Sequence, residues 1–276
     1  MTTYKYQPLS EARSIRLLHL TKKAASPHGF EIALTEAKLD DEPLFKALSY
    51  TWGVPYTSED LDPRVDASAA GESFEVSSAD GQVFKATENL FEALKRLAED
   101  VGDGGGSPLW IDALCIDQES TEEKSSQVAL MGDIYSSAAQ VVVWLGKEDP
   151  DATFLWIHDD PRVEALLQAA SAPDQQGQVP SPESLRGLDM TSLEEWQQTW
   201  RAYHSFYRRQ RYFRRAWIIQ ETALARDITV LCGSHTLDWN RLVVIANLLH
   251  VTKISCEWHT YAYCGFGAAL SRSRVW

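Results

Sequence analysis

Two stretches of this 276-residue chain concentrate the residue types that could do chemistry. The first is Leu109-Trp-Ile-Asp-Ala-Leu-Cys-Ile-Asp-Gln118, where Asp112 and Asp117 stand five residues apart among apolar neighbours. A carboxylate in that setting is costly unless it is paired or solvated in a cleft. Either the pair contacts a substrate, or Asp117 caps the following helix while Asp112 fixes a turn. The second stretch is Arg208-Arg-Gln-Arg-Tyr-Phe-Arg-Arg-Ala-Trp-Ile-Ile-Gln-Glu221. From Arg201 to Arg215 there are six arginines and no acid, and Trp217 and Glu221 follow at i and i+4, on one face of a helix. A glutamate beside an aromatic and a basic block suits a phosphorylated, sugar-containing substrate. The plainer alternative is a salt bridge from Arg214 or Arg215 to Glu221.

That basic block lies in an acidic chain with a net charge of −13, and without its six arginines the rest is more acidic still. A uniformly negative surface would repel nucleic acid and anionic membranes. Segregated charge instead allows a small phosphorylated ligand to be steered into one positive cleft. Four scattered cysteines without a CxxC pair, no Asn-x-Ser/Thr sequon and an N-terminus without an apolar leader point to reduced thiols in the cytoplasm. The longest apolar run, around Leu242–Val251, is too short to span a membrane. Gly102–Gly106 is glycine-rich but precedes a strand, whereas a phosphate-cradling loop follows one. Cys256, His259 and Cys264 lack a fourth ligand and match no common zinc spacing, so no metal is expected. Cys115 and Cys232 read as buried strand thiols.

The elements that must position these residues alternate in type. Phe45–Trp52, Leu109–Ile116, Gln140–Leu145 and Asp227–Cys232 read as short apolar strands, three of them stopped by Gly53, Gly146 and Gly233. Phe74–Ser77 and Gln82–Ala86 flank an Ala-Asp-Gly turn and form a hairpin. Thr87 caps a helix over Glu88–Glu99, and Ser120-x-x-Glu123 is a capping box opening a helix through Tyr135. Further helices are expected from about Asp151, from Ser192 to about Arg209, over Tyr212–Ala225 and over Trp239–Val251. The Pro/Gln-rich run Ser171–Gly187 reads as a mobile insertion. The expected architecture is one α/β domain over residues 1–276: a parallel sheet covered by helices on both faces, with a small antiparallel hairpin. Its core runs to about residue 235, followed by a helical extension over 236–276. In such sheets ligands bind beyond the carboxyl ends of the strands. Those ends are Tyr50-Thr-Trp-Gly53, Asp112 to Asp117, Trp144-Leu-Gly146 and Cys232-Gly233. A Trp-x-Gly step at Trp144 is an ordinary packed strand end. Trp52-Gly53 is less ordinary, because the polar run Ser49-Tyr50-Thr51 precedes it.

A resemblance adds to this reading. Tyr6-Gln-Pro-Leu9 with Ile15-Arg-Leu-Leu18, Ala47-Leu-Ser-Tyr-Thr-Trp-Gly53, Leu109–Gln118, Glu123 to Tyr135, Val141–Gly146 and Arg211 to Glu221 stand in the order of the blocks of the fungal heterokaryon-incompatibility (HET) domain, which this chain resembles. The resemblance implies an effector domain that triggers cell death when genetically different hyphae fuse, usually as part of a larger receptor-like protein. HET domains are in turn distantly similar to Toll/interleukin-1 receptor (TIR) domains, which implies a Rossmann-like or flavodoxin-like sheet. In enzymatic TIR domains the Glu of a Trp-x-x-x-Glu step is the catalytic residue of an NAD glycohydrolase, and Trp217-Ile-Ile-Gln-Glu221 matches that spacing.

Carried to this chain, the resemblance makes Glu221 the catalytic carboxylate and NAD a substrate rather than a cofactor. Cleavage of the nicotinamide–ribose bond passes through an oxocarbenium-like state with a cationic leaving group, so one carboxylate beside the ribose suffices. Tyr50 and Trp52, next to Gly53, would stack a ring; Arg214 and Arg215 would hold the pyrophosphate; Asp112, Asp117 and Trp217 complete the candidate substrate contacts. Self-association is expected for activity. Two rival readings are a non-enzymatic module that oligomerises and recruits partners through the Arg block, and a sensor that binds nucleotide without cleaving it.

Overall fold

The computed structural model describes residues 2–56, 73–102, 105–147 and 209–243. Within them the chain runs β1 (Ser14–Lys22), β2 (Phe30–Lys38), β3 (Lys46–Tyr50), β4 (Ser73–Ser77), β5 (Val83–Thr87), α1 (Glu88–Glu99), β6 (Leu109–Trp110), α2 (Asp112–Cys115), α3 (Thr121–Ser137) and β7 (Gln140–Trp144). A 3-10 turn over Tyr212–Arg214 leads to α4 (Ile218–Ala223), β8 (Ile228–Cys232) and β9 (His235–Asp238). The expected helices from Asp151 and Ser192, the insertion 171–187, Cys256, His259, Cys264 and nearly all of the extension 236–276 lie outside the described residues. Of the helix expected over Trp239–Val251, residues 239–243 are described and are helical.

The fold is α/β, but the sheet is mixed rather than parallel. Seven strands stand in the order β2-β1-β6-β3-β7-β8-β9. The inner four, β6, β3, β7 and β8, are parallel, and antiparallel strands close both sides. β1 and β2 pair along all nine residues, and β9 folds back on β8 through Gly233-Ser234, with Gly233 at φ +53° as a two-residue turn requires. The parallel expectation rested on helix-length connections between strands. It missed these hairpins because β1 is buried on both faces, Arg16 included, so its sequence shows no alternation. The separate β4–β5 hairpin forms where expected.

Most of the predicted elements form for the reasons the sequence suggests. Thr87 caps α1 by accepting the Leu90 N–H at 3.4 Å, and Ser120 caps α3 by accepting the Glu123 N–H at 3.2 Å. The reciprocal half of the α3 capping box is absent, because the Glu123 carboxylate is engaged with Arg16 and with the Asp117 N–H. Two expectations need correction. The strand over Leu109–Ile116 ends after Trp110, because Asp112 Oδ1 accepts the Ala113 N–H at 2.7 Å and turns the chain into α2. The helix over Tyr212–Ala225 is broken at Arg215, which is extended (φ −77°, ψ 132°). On a continuous helix, residues six apart face different sides; the break lets Arg215 fold back onto Glu221.

This order positions a site. The connection from β3 to β6 runs to one side of β3, and the connection from β6 to β7 crosses back to the other. Right-handed crossovers in opposite directions place their helices on opposite faces. The register agrees: Tyr50 pairs with Trp144, whose indole N–H donates to Asn89 of α1 at 2.8 Å, while Ser49 contacts Glu221 of α4. α4 packs on α3 at Gly132, where a Cβ would lie 2.8 Å from the Gln220 amide nitrogen and 3.7 Å from Leu224. The reversal of direction therefore falls between β3 and β7, where doubly wound sheets open a crevice at the carboxyl ends.

Candidate functional site

Ser49 is the third of four consecutive buried residues in β3 and carries a hydroxyl into an apolar strand. A buried hydroxyl needs a partner, and Ser49 has two. Its Oγ donates to Glu221 Oε2 and lies 2.8 Å from the Tyr212 hydroxyl. A serine has one proton to give, so with Ser49 donating to the carboxylate the Tyr212 O–H donates to Ser49. The carboxylate is also gripped bidentately by Arg215, with Nη2 2.8 Å from Oε1 and Nη1 3.2 Å from Oε2. The Arg215 guanidinium lies 5.8 Å from the Tyr212 ring centroid. Glu221 and Tyr212 are each 1% exposed. Burial drives the Tyr212 phenol up, the Glu221 charge adds to that, and the Ser49 contact and Arg215 oppose it; Tyr212 stays protonated. Burial pulls the Arg215 guanidinium down, but Glu221 and the neighbouring phenols more than offset it. The result is a closed relay: phenol, hydroxyl, carboxylate, guanidinium.

A second acid stands beside this relay. Asp112 opens α2, and its Oδ2 accepts the Trp52 indole N–H at 2.8 Å. Burial pushes the Asp112 carboxyl up to about 6, with the Trp52 bond opposing, Glu221 adding and Arg215 subtracting. The charges of Glu221 and Arg215 are thus felt at Asp112. Trp52 itself is 45% exposed, so the Trp52–Asp112 pair meets solvent where Glu221 does not.

The remaining predicted residues fall elsewhere. Tyr50 is buried on the α1 side of the sheet, next to Trp144, and burial together with the Asp112 charge raises its phenol. Gly53 lines a groove of about 230 Å³ with Val54, Pro55, Tyr56, the start of α1 and Lys147. Asp117 is in the loop before α3, where its Oδ1 accepts the Glu119 N–H at 3.0 Å. Arg214 is exposed. Trp217 is the N-cap residue of α4, where its carbonyl accepts the Glu221 N–H at 3.0 Å, and it is 47% exposed. The ion pair between Arg215 and Glu221, the plainer of the two sequence readings, is present in the fold. Sequence reasoning missed Ser49 and Tyr212, although a hydroxyl in the middle of an apolar strand is itself a signal that a partner must exist.

Among the described residues no group of three or more His, Cys, Asp or Glu side chains could hold a metal ion, and no helix is long and apolar enough to cross a membrane. Cys115 and Cys232 are buried thiols.

Blocks from β3 to α4 thus converge on one edge of one α/β sheet, and residues 45–221 match the family profile described as heterokaryon incompatibility protein (HET). The chain belongs to that family. Over 242 residues it is 33% identical to heterokaryon incompatibility protein 6, OR allele, of Neurospora crassa, an alignment that covers 79% of this chain and 33% of that protein. The chain therefore spans about a third of the length of this relative. No solved structure matches it.

Proposed function

We propose that the chain acts as the effector domain of a fungal incompatibility reaction, and that it cleaves the nicotinamide–ribose bond of an NAD-type dinucleotide with Glu221 as the carboxylate. The observation that carries this reading is the Ser49–Glu221–Arg215 relay. A buried carboxylate stands at the carboxyl edge of the central strand, held only by side chains. The strand order β6-β3-β7-β8, which is that of a flavodoxin-like half, supports a TIR-like reading, as does the Trp-x-x-x-Glu spacing.

In this reading the structure is the resting form. Both Glu221 oxygens are engaged, so neither is free for ribose hydroxyls. A diphosphate competes for Arg215, because a guanidinium binds phosphate bidentately as it binds carboxylate. Arg215 transferred to the diphosphate frees the carboxylate, which then faces the developing oxocarbenium charge. Water attacks the anomeric carbon as nicotinamide leaves with the electron pair of the C–N bond, and the proton of that water passes to solvent. In this reading the Asp112 carboxyl, which burial pushes up to about 6, relays that proton on its way to solvent.

The 1% exposure of Glu221 favours a second reading, in which the relay is a structural lock and the domain signals by association. NAD consumption by the concentrated, purified chain separates the two. Turnover that Glu221→Gln abolishes supports the first. Absence of turnover alongside cell killing that survives Glu221→Gln supports the second.

A further inference from the structure

The groove that Gly53 lines lies on the other face of the sheet from Glu221, where the direction of the crossovers reverses. One wall is the apolar stretch Val54-Pro55-Tyr56; the other is the first turn of α1. Its rim carries two carboxylates and one ammonium: Lys147 Nζ lies 3.2 Å from Glu88 and 3.1 Å from Glu92. At about 230 Å³ it is smaller than sites that enclose whole drug-sized ligands, and it suits one ring system.

The groove is built rather than incidental. Gly146 has φ +105°, and a Cβ there would come within 2.6 Å of Pro55. The Pro55 carbonyl accepts the Arg211 N–H at 2.9 Å, Tyr56 bridges to Gln210, and the Tyr56 hydroxyl donates to the Lys147 carbonyl. The wall is therefore fixed from both sides before any ligand arrives, which lowers the ordering cost of binding. The same ladder leads within four residues to Arg215.

We propose that this groove is a base-recognition subsite for a planar nitrogen heteroaromatic ring bearing an amino or carboxamide NH₂ group. The ring faces lie against Val54, Pro55 and Tyr56. The NH₂ group donates to Glu88 and Glu92, and Lys147 donates to a ring or amide acceptor. With one negative charge in excess, the rim disfavours phosphate and favours N–H donors. The arginine side of the strand end has the opposite preference. The two faces of the carboxyl edge thus suit the two opposed parts of a nucleotide, base and phosphate. The assignment deepens the dinucleotide reading and rests on it for the identity of the ligand, but not for the existence of the subsite.

Adenosine and nicotinamide riboside carry this ring chemistry at the two ends of the dinucleotide. Each is titrated calorimetrically into the purified chain, with inorganic pyrophosphate as the contrast. Saturable binding of one nucleoside is expected with Kd below about 1 mM. Val54→Trp, which fills the groove, should weaken it at least tenfold, and the double variant Glu88→Gln/Glu92→Gln several-fold. Neither change should alter binding of pyrophosphate. The carboxamide variant keeps the fold testable if Val54→Trp does not fold, since Glu88 is an exposed side chain and the substitutions conserve shape. Absence of saturation with both nucleosides up to about 10 mM, or affinity unchanged in both variants, overturns the proposal. Nucleoside binding without NAD turnover would sink the hydrolase reading alone. NAD turnover with no change in KM in either variant would sink the subsite alone.

Discussion

Among the described residues, two buried arginine–glutamate pairs differ in what surrounds them. Arg16 on β1 meets Glu123 on α3, and the same guanidinium donates to the carbonyls of Cys115 at 3.0 Å and Gln7 at 2.6 Å. The Tyr6 ring lies 5.0 Å from the Arg16 guanidinium, and Glu123 also accepts the Asp117 N–H at 2.8 Å. Both partners of that pair are also tied to backbone, so it joins the N-terminal segment, the first hairpin and the start of α3 in one knot. Arg215 and Glu221 have side-chain partners only, on a 3-10 turn and a six-residue helix. A pair clamped by backbone is released only by unfolding; a pair clamped by rotatable side chains can exchange partners. The comparison teaches that burial alone does not mark a working carboxylate. Under the proposed function, the groups that satisfy it set Glu221 apart from Glu123.

Breaking the first pair should have the largest effect. Arg16→Met leaves Glu123 buried without its counter-ion and should cost about 3–5 kcal/mol, read as a lower urea midpoint. The Glu123 pKa is depressed: burial raises it, but Arg16 and the Asp117 N–H outweigh that. Its stabilisation is therefore present above its unfolded pKa and lost as pH falls through the folded value, so the wild type should lose more stability on acidification than Glu123→Gln. Arg215→Met should cost less, about 2–3 kcal/mol, because Ser49 still donates to Glu221 and the segment can shift toward water. A larger loss than for Arg16→Met would show that the second pair is the deeper rivet and would break the comparison.

Smaller effects sharpen it. The Asp112 carboxyl is raised to about 6, above its unfolded value, so the folded chain binds more protons between about pH 4 and 6 and stability should fall as pH rises through that window. Asp112→Asn should flatten this slope by about 1–2 kcal/mol, the shift being discounted for the solvent that reaches the Trp52–Asp112 pair. Unfolding midpoints measured at pH 4 and 6.5 check the sign. Ser49→Ala removes the hydroxyl between Tyr212 and Glu221 and should cost about 1 kcal/mol, visible as a thermal shift of a few degrees.

The inner strands, α1 and α3 were legible because each is signalled locally. Apolar runs stop at Gly53, Gly146 and Gly233, and Thr87 and Ser120 are good caps. The outer strands were not, since β1 is buried on both faces and β9 is four residues behind a two-residue turn. Glu221 and Arg215 were legible as a charged pair six residues apart, but the break that lets them meet was not. No breaker residue marks it; it accompanies the Arg215–Glu221 ion pair and the Arg215–Tyr212 contact. Ser49 and Tyr212 are 163 residues apart, and the groove joins residues 53–56, 87–92 and 147. No local pattern records such distant contacts; they are consequences of strand order.

The central claim is that Glu221 is a working carboxylate held in reserve. Its most direct measurement is the rate of nicotinamide release from NAD by the concentrated wild-type chain and by Glu221→Gln, with unfolding midpoints determined on the same samples. The account predicts turnover in the wild type and a loss of at least 100-fold in Glu221→Gln, on the order of an interaction made only in the transition state, while the variant remains folded. Equal rates in the two chains, or no release by either at any concentration, would contradict it.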